Sequence, residues 1–91
     1  MPYVKKTERA RLDGGGEPAT AGDLNYLITR QIDAYLARKG ISYATLNEVV
    51  GVLECAKLEL YRRIVAGYED RKIADPENGE VYTVVTFSSR P

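Results

Sequence analysis

Histidine and tryptophan are absent from this 91-residue chain, and cysteine and phenylalanine occur once each. Without histidine there is no Ser-His or Cys-His pair and no common zinc site. The single cysteine, Cys55, excludes an internal disulfide framework and fits a reducing cytosol. It reads as a packed thiol, because Lys57 lies on another side of the helix. Charge of either sign is not in excess: 13 basic residues balance 13 acidic ones. That balance argues against a DNA-coating protein and against an acidic DNA mimic. No apolar run approaches the roughly 18 residues of a membrane span. The opening segment MPYVKKTERARLDGGG has no hydrophobic signal region. Gly14, Gly15 and Gly16 follow no strand and lack the lysine and hydroxyl of a phosphate-binding loop. These absences predict a soluble, cytoplasmic, non-enzymatic protein with no cofactor, no metal and no catalytic residue. They also predict no membrane partner and no duplex nucleic acid.

What is present is helical periodicity. The stretch 41–73, ISYATLNEVVGVLECAKLELYRRIVAGYEDRKI, has one period and no proline. Leu46, Val49, Val50, Leu53, Ala56, Leu60, Ile64 and Tyr68 recur three or four residues apart, the spacing of one apolar helix face. Ser42 is the expected N-cap, with Thr45 and Glu48 as a fallback one turn later. Gly51 and Cys55 make a narrow strip of small residues. Gly67 is where a kink or an end is expected, since glycine costs roughly 1 kcal/mol against alanine in a helix interior.

The chain reads as a single domain: basic arm 1–12, linker 13–19, first helix 20–39, second helix 42–74, and a turn with a strand-like tail 75–91. In the arm, Thr7 is placed to cap one turn through Leu12. Tyr3, Val4 and Leu12 either tuck onto the core or help the arm close over an anionic ligand. The three glycines read as a flexible linker, with Glu17-Pro18 setting up a helix start. Thr20 and Asp23 have capping-box spacing. Leu24, Leu27, Ile28, Ile32 and Tyr35 form the apolar face of the first helix, and Gly40 ends it. With so short a connection, the two helices are expected to form an antiparallel hairpin. The second helix overhangs the first by about three turns, and a hairpin alone is too thin to bury both faces. A homo-oligomer is therefore expected. Asp75-Pro76 and Asn78-Gly79 signal a stop and a turn, and residues 80–87 (EVYTVVTF) read as a strand. The predicted fold class is mainly α, with a short C-terminal β segment.

Two features point to binding. Lys57 projects near the middle of the apolar stripe. It either snorkels to solvent or Glu54, or is a cation held for an anion in a shared cavity. Seven tyrosines occur, several beside cations: Tyr26 with Arg30 on the outer side of the first helix, Tyr61 with Arg62, and Tyr3 with Lys5 and Lys6. Such pairs suit a nucleotide, whose base stacks while its phosphate meets a cation, and they equally suit a protein interface. Asn25 would add an amide contact to a base edge. The candidate ligand-binding set is Tyr3, Lys5, Lys6, Asn25, Tyr26, Arg30, Lys57, Tyr61 and Arg62.

The runs LNYLITRQIDAYL (24–36), SYATLNEVVGVLECAKLELYRRIVAGYEDRKI (42–73) and NGEVY (78–82) resemble a family of small, mostly phage-encoded proteins of uncharacterised function. Members often open with a segment similar to MPYVKKTERARLD. The glycine linker is shorter than that family's, and the tail beyond Tyr82 is an addition. The order of basic arm, helix, tight turn and longer helix is also similar in architecture to phage sponge proteins. Those are symmetric oligomers that sequester cyclic oligonucleotides or ADP-ribose derivatives of bacterial immune signalling. The implied function is sequestration of a small anionic nucleotide signal between subunits, in the cytoplasm of a bacterial host. The alternative is an oligomeric protein-binding or structural module that contacts a host or virion protein.

Overall fold

The structure is a computed structural model that describes residues 3–84. It is mainly helical: α1 (Lys6–Asp13), α2 (Ala21–Lys39), α3 (Tyr43–Leu60), a π-helical turn (Tyr61–Val65) and α4 (Ala66–Ala74). Among the described residues there is no strand. The chain divides into two units, Met1–Gly51 and Val52–Pro91, with the boundary inside α3.

The first unit is organised by the way α1 folds onto α2. Helix α1 starts at Lys6, one residue before the expected cap Thr7, and runs for two turns. Lys5 holds the N-cap position with extended backbone and no side-chain cap bond. The glycines that follow are not a loose linker. Gly14, Gly15 and Gly16 donate their amides to the carbonyls of Ala10, Leu12 and Arg11 at 3.1, 3.1 and 2.9 Å. These bonds satisfy the carbonyls that a helix C-terminus leaves open. At Gly16 a Cβ would lie 2.7 Å from the Arg11 carbonyl oxygen, so the reversal requires glycine there.

Helix α2 begins as its sequence predicts. The Thr20 hydroxyl accepts from the Asp23 amide at 3.1 Å, and the Asp23 carboxylate reaches back to the Ala19 amide at 3.0 Å. The same carboxylate oxygen receives the Arg11 guanidinium at 3.2 Å. Arg11 also donates to the Glu17 carbonyl at 2.8 Å and pairs with Glu8 at 3.0 Å. One side chain thus ties α1, the loop and the start of α2 together. Leu12 closes the contact at 2% exposure, and Asp23 and Tyr26 are buried beside it. Val4 is half-buried and Tyr3 is exposed, so the arm docks through Leu12 and Val4.

Gly40 ends α2 at φ 88°, a backbone that β-carbon-bearing residues rarely adopt. Ser42 then caps α3: its hydroxyl accepts from the Thr45 amide at 3.1 Å, while the Thr45 hydroxyl accepts from the Ser42 amide at 3.0 Å. The chain turns here. The Tyr35 hydroxyl donates to Glu48 across the turn at 2.8 Å, whereas two collinear helices would hold these positions roughly 20 Å apart. Beyond this bond the backbones of α2 and α3 make no close approach. Leu24, Ile28 and Leu46 consequently remain about half-exposed.

In the second unit the helical run continues to Ala74, close to its expected end. Its irregularity lies one turn ahead of Gly67. At Tyr61–Val65 the helix widens, and the Ala66 amide bonds to the Tyr61 carbonyl five residues back. In a regular α-helix, positions eight apart are about 80° out of line. The wider turn unwinds part of that angle, and the Tyr61 hydroxyl reaches Glu69 at 3.3 Å. Cys55 is exposed, which corrects its expected role as a packed thiol: no described residue covers that side of α3.

After α4 the Asp75 carboxylate accepts from the Glu77 amide at 2.9 Å, and its carbonyl accepts from the Asn78 amide at 3.0 Å. Gly79 completes the turn at φ 74°. No strand forms over residues 80–84, where the Glu80 carboxylate takes the amides of Val81 and Tyr82 at 2.8 Å each. Those amides are the donors a ladder would need. The remainder of the expected strand, 85–87, lies outside the described residues.

Arg11→Ala strips a nearly buried carboxylate of its cation, and an unsatisfied buried group costs about 1–3 kcal/mol. Glu8→Ala removes only an exposed helix pair, a change of roughly 0.5 kcal/mol or less. Urea unfolding followed by circular dichroism should therefore separate the two variants clearly. Equal midpoints would show that Arg11 does not hold the first unit together.

Candidate functional site

The candidate residues fall into both units. Tyr3, Lys5, Lys6, Asn25, Tyr26 and Arg30 belong to the first, and Lys57, Tyr61 and Arg62 to the second. Within the first, Tyr26 and Arg30 meet at Asp13. Tyr26 donates its hydroxyl to both Asp13 oxygens at 3.0 Å, and Arg30 lies 3.6 Å from one of them and 3.3 Å from Asp33. Tyr26 is therefore not on an outer side of α2. It is 7% exposed, and the Arg9 guanidinium stands 5.8 Å from its ring centre. A ring in this position has no face left for a base.

Burial raises the Tyr26 phenol above the ordinary tyrosine value of 10.0, as do its hydrogen bond to Asp13 and that carboxylate's charge. Arg30 and Arg9 act in the opposite direction. Tyr35 is also raised, first by its hydrogen bond to Glu48 and then by burial and the charge of Glu48. The Thr29 hydroxyl donates to the Asn25 backbone carbonyl at 2.9 Å and lies 3.4 Å from the Asn25 side-chain oxygen, so the Asn25 amide stays exposed with one long local contact. Lys57 reaches Glu54 at 3.2 Å with two-thirds of its side chain exposed, which is the snorkelling arrangement.

The cations divide cleanly. Arg9, Arg38, Lys39, Arg71 and Lys72 lie against tyrosine rings, and Arg11, Arg30, Lys57 and Arg63 are ion-paired. Lys5, Lys6 and Arg62 have no ion pair, side-chain hydrogen bond or ring contact among the described residues, and all three are exposed. Arg62 stands on the π turn next to Tyr61, which is 53% exposed.

A shallow cavity of about 330 Å³ is lined by Leu12, Asp13, Leu27, Arg30 and Gln31. Arg30 is the one candidate residue in it, and Asp13 offsets its charge. An open groove of about 600 Å³ runs along α4 and is lined by Tyr68, Glu69, Asp70, Lys72, Glu80 and Tyr82 among others. Three carboxylates against one lysine do not suit an anion, and no candidate residue lines this groove. Among the described residues no group of His, Cys, Asp or Glu side chains could hold a metal ion. The residues that sequence reasoning missed are Arg9, Arg11 and Asp13. The signal was present in the tight chemistry of three glycines between Asp13 and the cap of α2.

These features define a small, mainly helical protein with an exposed apolar helix face, and none of its described helices is long and apolar enough to cross a membrane. The chain belongs to the family described as Domain of unknown function (DUF6899), whose model matches residues 1–81. The match takes in the arm, the glycine reversal and all four α-helices, and it ends at residue 81, inside the C-terminal segment 75–91. No curated protein and no solved structure matches.

A raised tyrosine value makes stability depend on pH above 10. Below that pH both folded and unfolded chains keep the Tyr26 proton, and the contribution of its environment is complete. As pH rises past 10 the unfolded chain releases the proton first, so stability falls toward the folded value. Tyr26→Phe should flatten this part of the alkaline unfolding curve and remove a late-titrating phenol from the absorbance at 295 nm. Loss of a phenol that titrates at the ordinary value would contradict the burial of Tyr26 against Asp13.

Proposed function

We propose that this chain is a non-enzymatic binding protein that works as a homo-oligomer of helical hairpins. The observation that carries this reading is the exposure of the α3–α4 stripe. Leu46, Val50, Leu53, Leu60, Ile64 and Tyr68, spaced for one helix face, are between 42% and 65% exposed. An apolar stripe of this length in water favours a protein partner. The same applies to the half-exposed Leu24 and Ile28 of α2, so assembly would also close the α2–α3 hairpin. In this reading the protein is a phage-encoded module of the host cytoplasm that assembles with itself and contacts a host or virion protein.

A second reading is favoured by Lys5, Lys6 and Arg62, cations without partners among the described residues. A homo-oligomer could gather them around an anion with Tyr61 and Tyr3 as stacking faces. The protein would then be a sponge that holds a cyclic oligonucleotide or an ADP-ribose derivative between subunits and releases it intact. Tyr26 and Arg30 would support such a site through Asp13, not touch the ligand.

Light scattering should return a mass of two or more chains at micromolar concentration. Ile64→Asp forces a charge into the covered stripe at a cost of about 3 kcal/mol or more per subunit, and should dissociate or unfold the assembly. A folded monomer of about 10 kDa across the concentration range would remove the first reading. The second predicts heat on titration with cyclic di- and trinucleotides or cyclic ADP-ribose isomers, reduced by Arg62→Ala and by salt. Absence of heat with all of them, from an assembled protein, would leave the protein-partner reading alone.

A further inference from the structure

We infer that two copies of this chain pair through α3 in antiparallel orientation, with a two-fold axis at the level of Cys55 and Lys57 beside it. This rests on the oligomeric reading above and adds the partner and the geometry.

The first observation is the place of Lys57. On α3 (Tyr43–Leu60) it lies on the same face as Val50, Leu53 and Leu60, each well exposed. It is the one charge within that face between Leu46 and Leu60. A parallel pair in register would set Lys57 against the partner's Lys57 within an apolar seam, where like charges repel strongly. An antiparallel pair centred on the level of Cys55 sets Lys57 beside the partner's Leu53 and Glu54. Glu54 already meets Lys57 of its own chain at 3.2 Å and is more than half exposed. Its second oxygen can take the partner's ammonium.

The second observation is the order of charge along the helix. Residues 43–56 contain Glu48 and Glu54 and no basic residue. Residues 57–65 contain Lys57, Arg62 and Arg63 against Glu59 alone. The helical run is acidic in its first half and basic in its second, with net charges of −2 and +2. Antiparallel pairing lays opposite halves together, and parallel pairing lays like halves together. It also opposes the two helix dipoles.

The third is apolar register. With the axis at Cys55, Val50 faces the partner's Leu60, and Leu46 lies at the level of the partner's Ile64, which the π turn sets toward the edge of the seam. Such an arrangement is isologous: each contact occurs twice and the interface closes at two chains. Cys55 itself projects from the other side of α3 and stays accessible.

Disulfide trapping tests the orientation in the full chain. Cys55→Ser supplies a cysteine-free background, into which Val50→Cys and Leu60→Cys are placed separately. Antiparallel pairing puts Val50 about 15 Å along the axis from its own copy, too far for a bond, and next to the partner's Leu60. The expected result is that each variant oxidised alone stays uncrosslinked, while a re-equilibrated mixture yields the mixed disulfide. Leu46→Cys with Ile64→Cys provides a second pair, should either first variant assemble poorly. Light scattering of each variant reports assembly independently. Homodisulfides of Val50→Cys would show a parallel pair. An assembled protein that forms neither bond with either pair would show that this face is not the seam. Both outcomes overturn the inference while leaving self-assembly standing, and a monomeric parent protein removes both.

Discussion

Asp23 is the point on which the first unit depends. Its backbone amide completes the Thr20 cap, its carboxylate holds the Ala19 amide, and the same oxygen receives Arg11 from the preceding helix. A nearly buried carboxylate is tolerated only while such donors surround it. Here they come from two separate pieces of chain, the Ala19 amide and the Arg11 guanidinium, so local capping of α2 and docking of α1 are a single event. The position of Leu12 and the tight approach at Gly16 follow from it. So does the fate of the basic arm: its two arginines are consumed in folding, and Lys5 and Lys6 have no charge partner among the described residues.

Among its described residues the second unit has no such anchor. Its side chains pair locally along one helical run, as Glu54 with Lys57 and Glu59 with Arg63. Exposed pairs of this kind contribute about 0.3–0.5 kcal/mol each, far less than covering one large apolar side chain does. In the oligomeric reading, the stability of this region comes from the copy that covers its stripe. The π turn acts on that stripe: it brings Tyr61 toward Glu69 and shifts the phase of Ile64 relative to Leu60. A partner must match a stripe with a built-in offset, which limits the registers available to it.

Most of the helical frame could be read from residue types. Thr20 with Asp23, Ser42 with Thr45, Gly40, and Asp75 ahead of Asn78-Gly79 mark boundaries by chemistry that acts within a few residues. What could not be read depends on contacts across longer separations or on competition. The glycines after Asp13 look flexible until Arg11 is placed 12 residues from Asp23. Tyr26 looks outward-facing because the helix wheel knows nothing of α1. Residues 80–84 have the composition of a strand, but Glu80 captures the amides first. Glycine at 67 marked a weak point whose physical expression fell one turn earlier. For the candidate site, periodicity identified Lys57 and the uncovered stripe. Proximity in sequence could not tell paired cations from unpaired ones.

That distinction bears on what the molecule can bind. A ligand with several phosphates needs several uncommitted cations near one point. In one chain Lys5 and Lys6 belong to the arm and Arg62 to the π turn, in different units. If an anion is held, the natural source of further cations is a second copy. Binding and assembly then share one free energy: the ligand strengthens the oligomer by the factor that the oligomer strengthens ligand binding. A protein built this way would take up its ligand steeply once its own concentration passes the dissociation constant of the pair. It would also release the ligand when diluted, with no chemical step. The alternative occupant, a protein, makes no demand on those cations and uses the stripe alone. The two readings thus load different residues of the same π turn, Arg62 in one and Ile64 in the other, two positions apart.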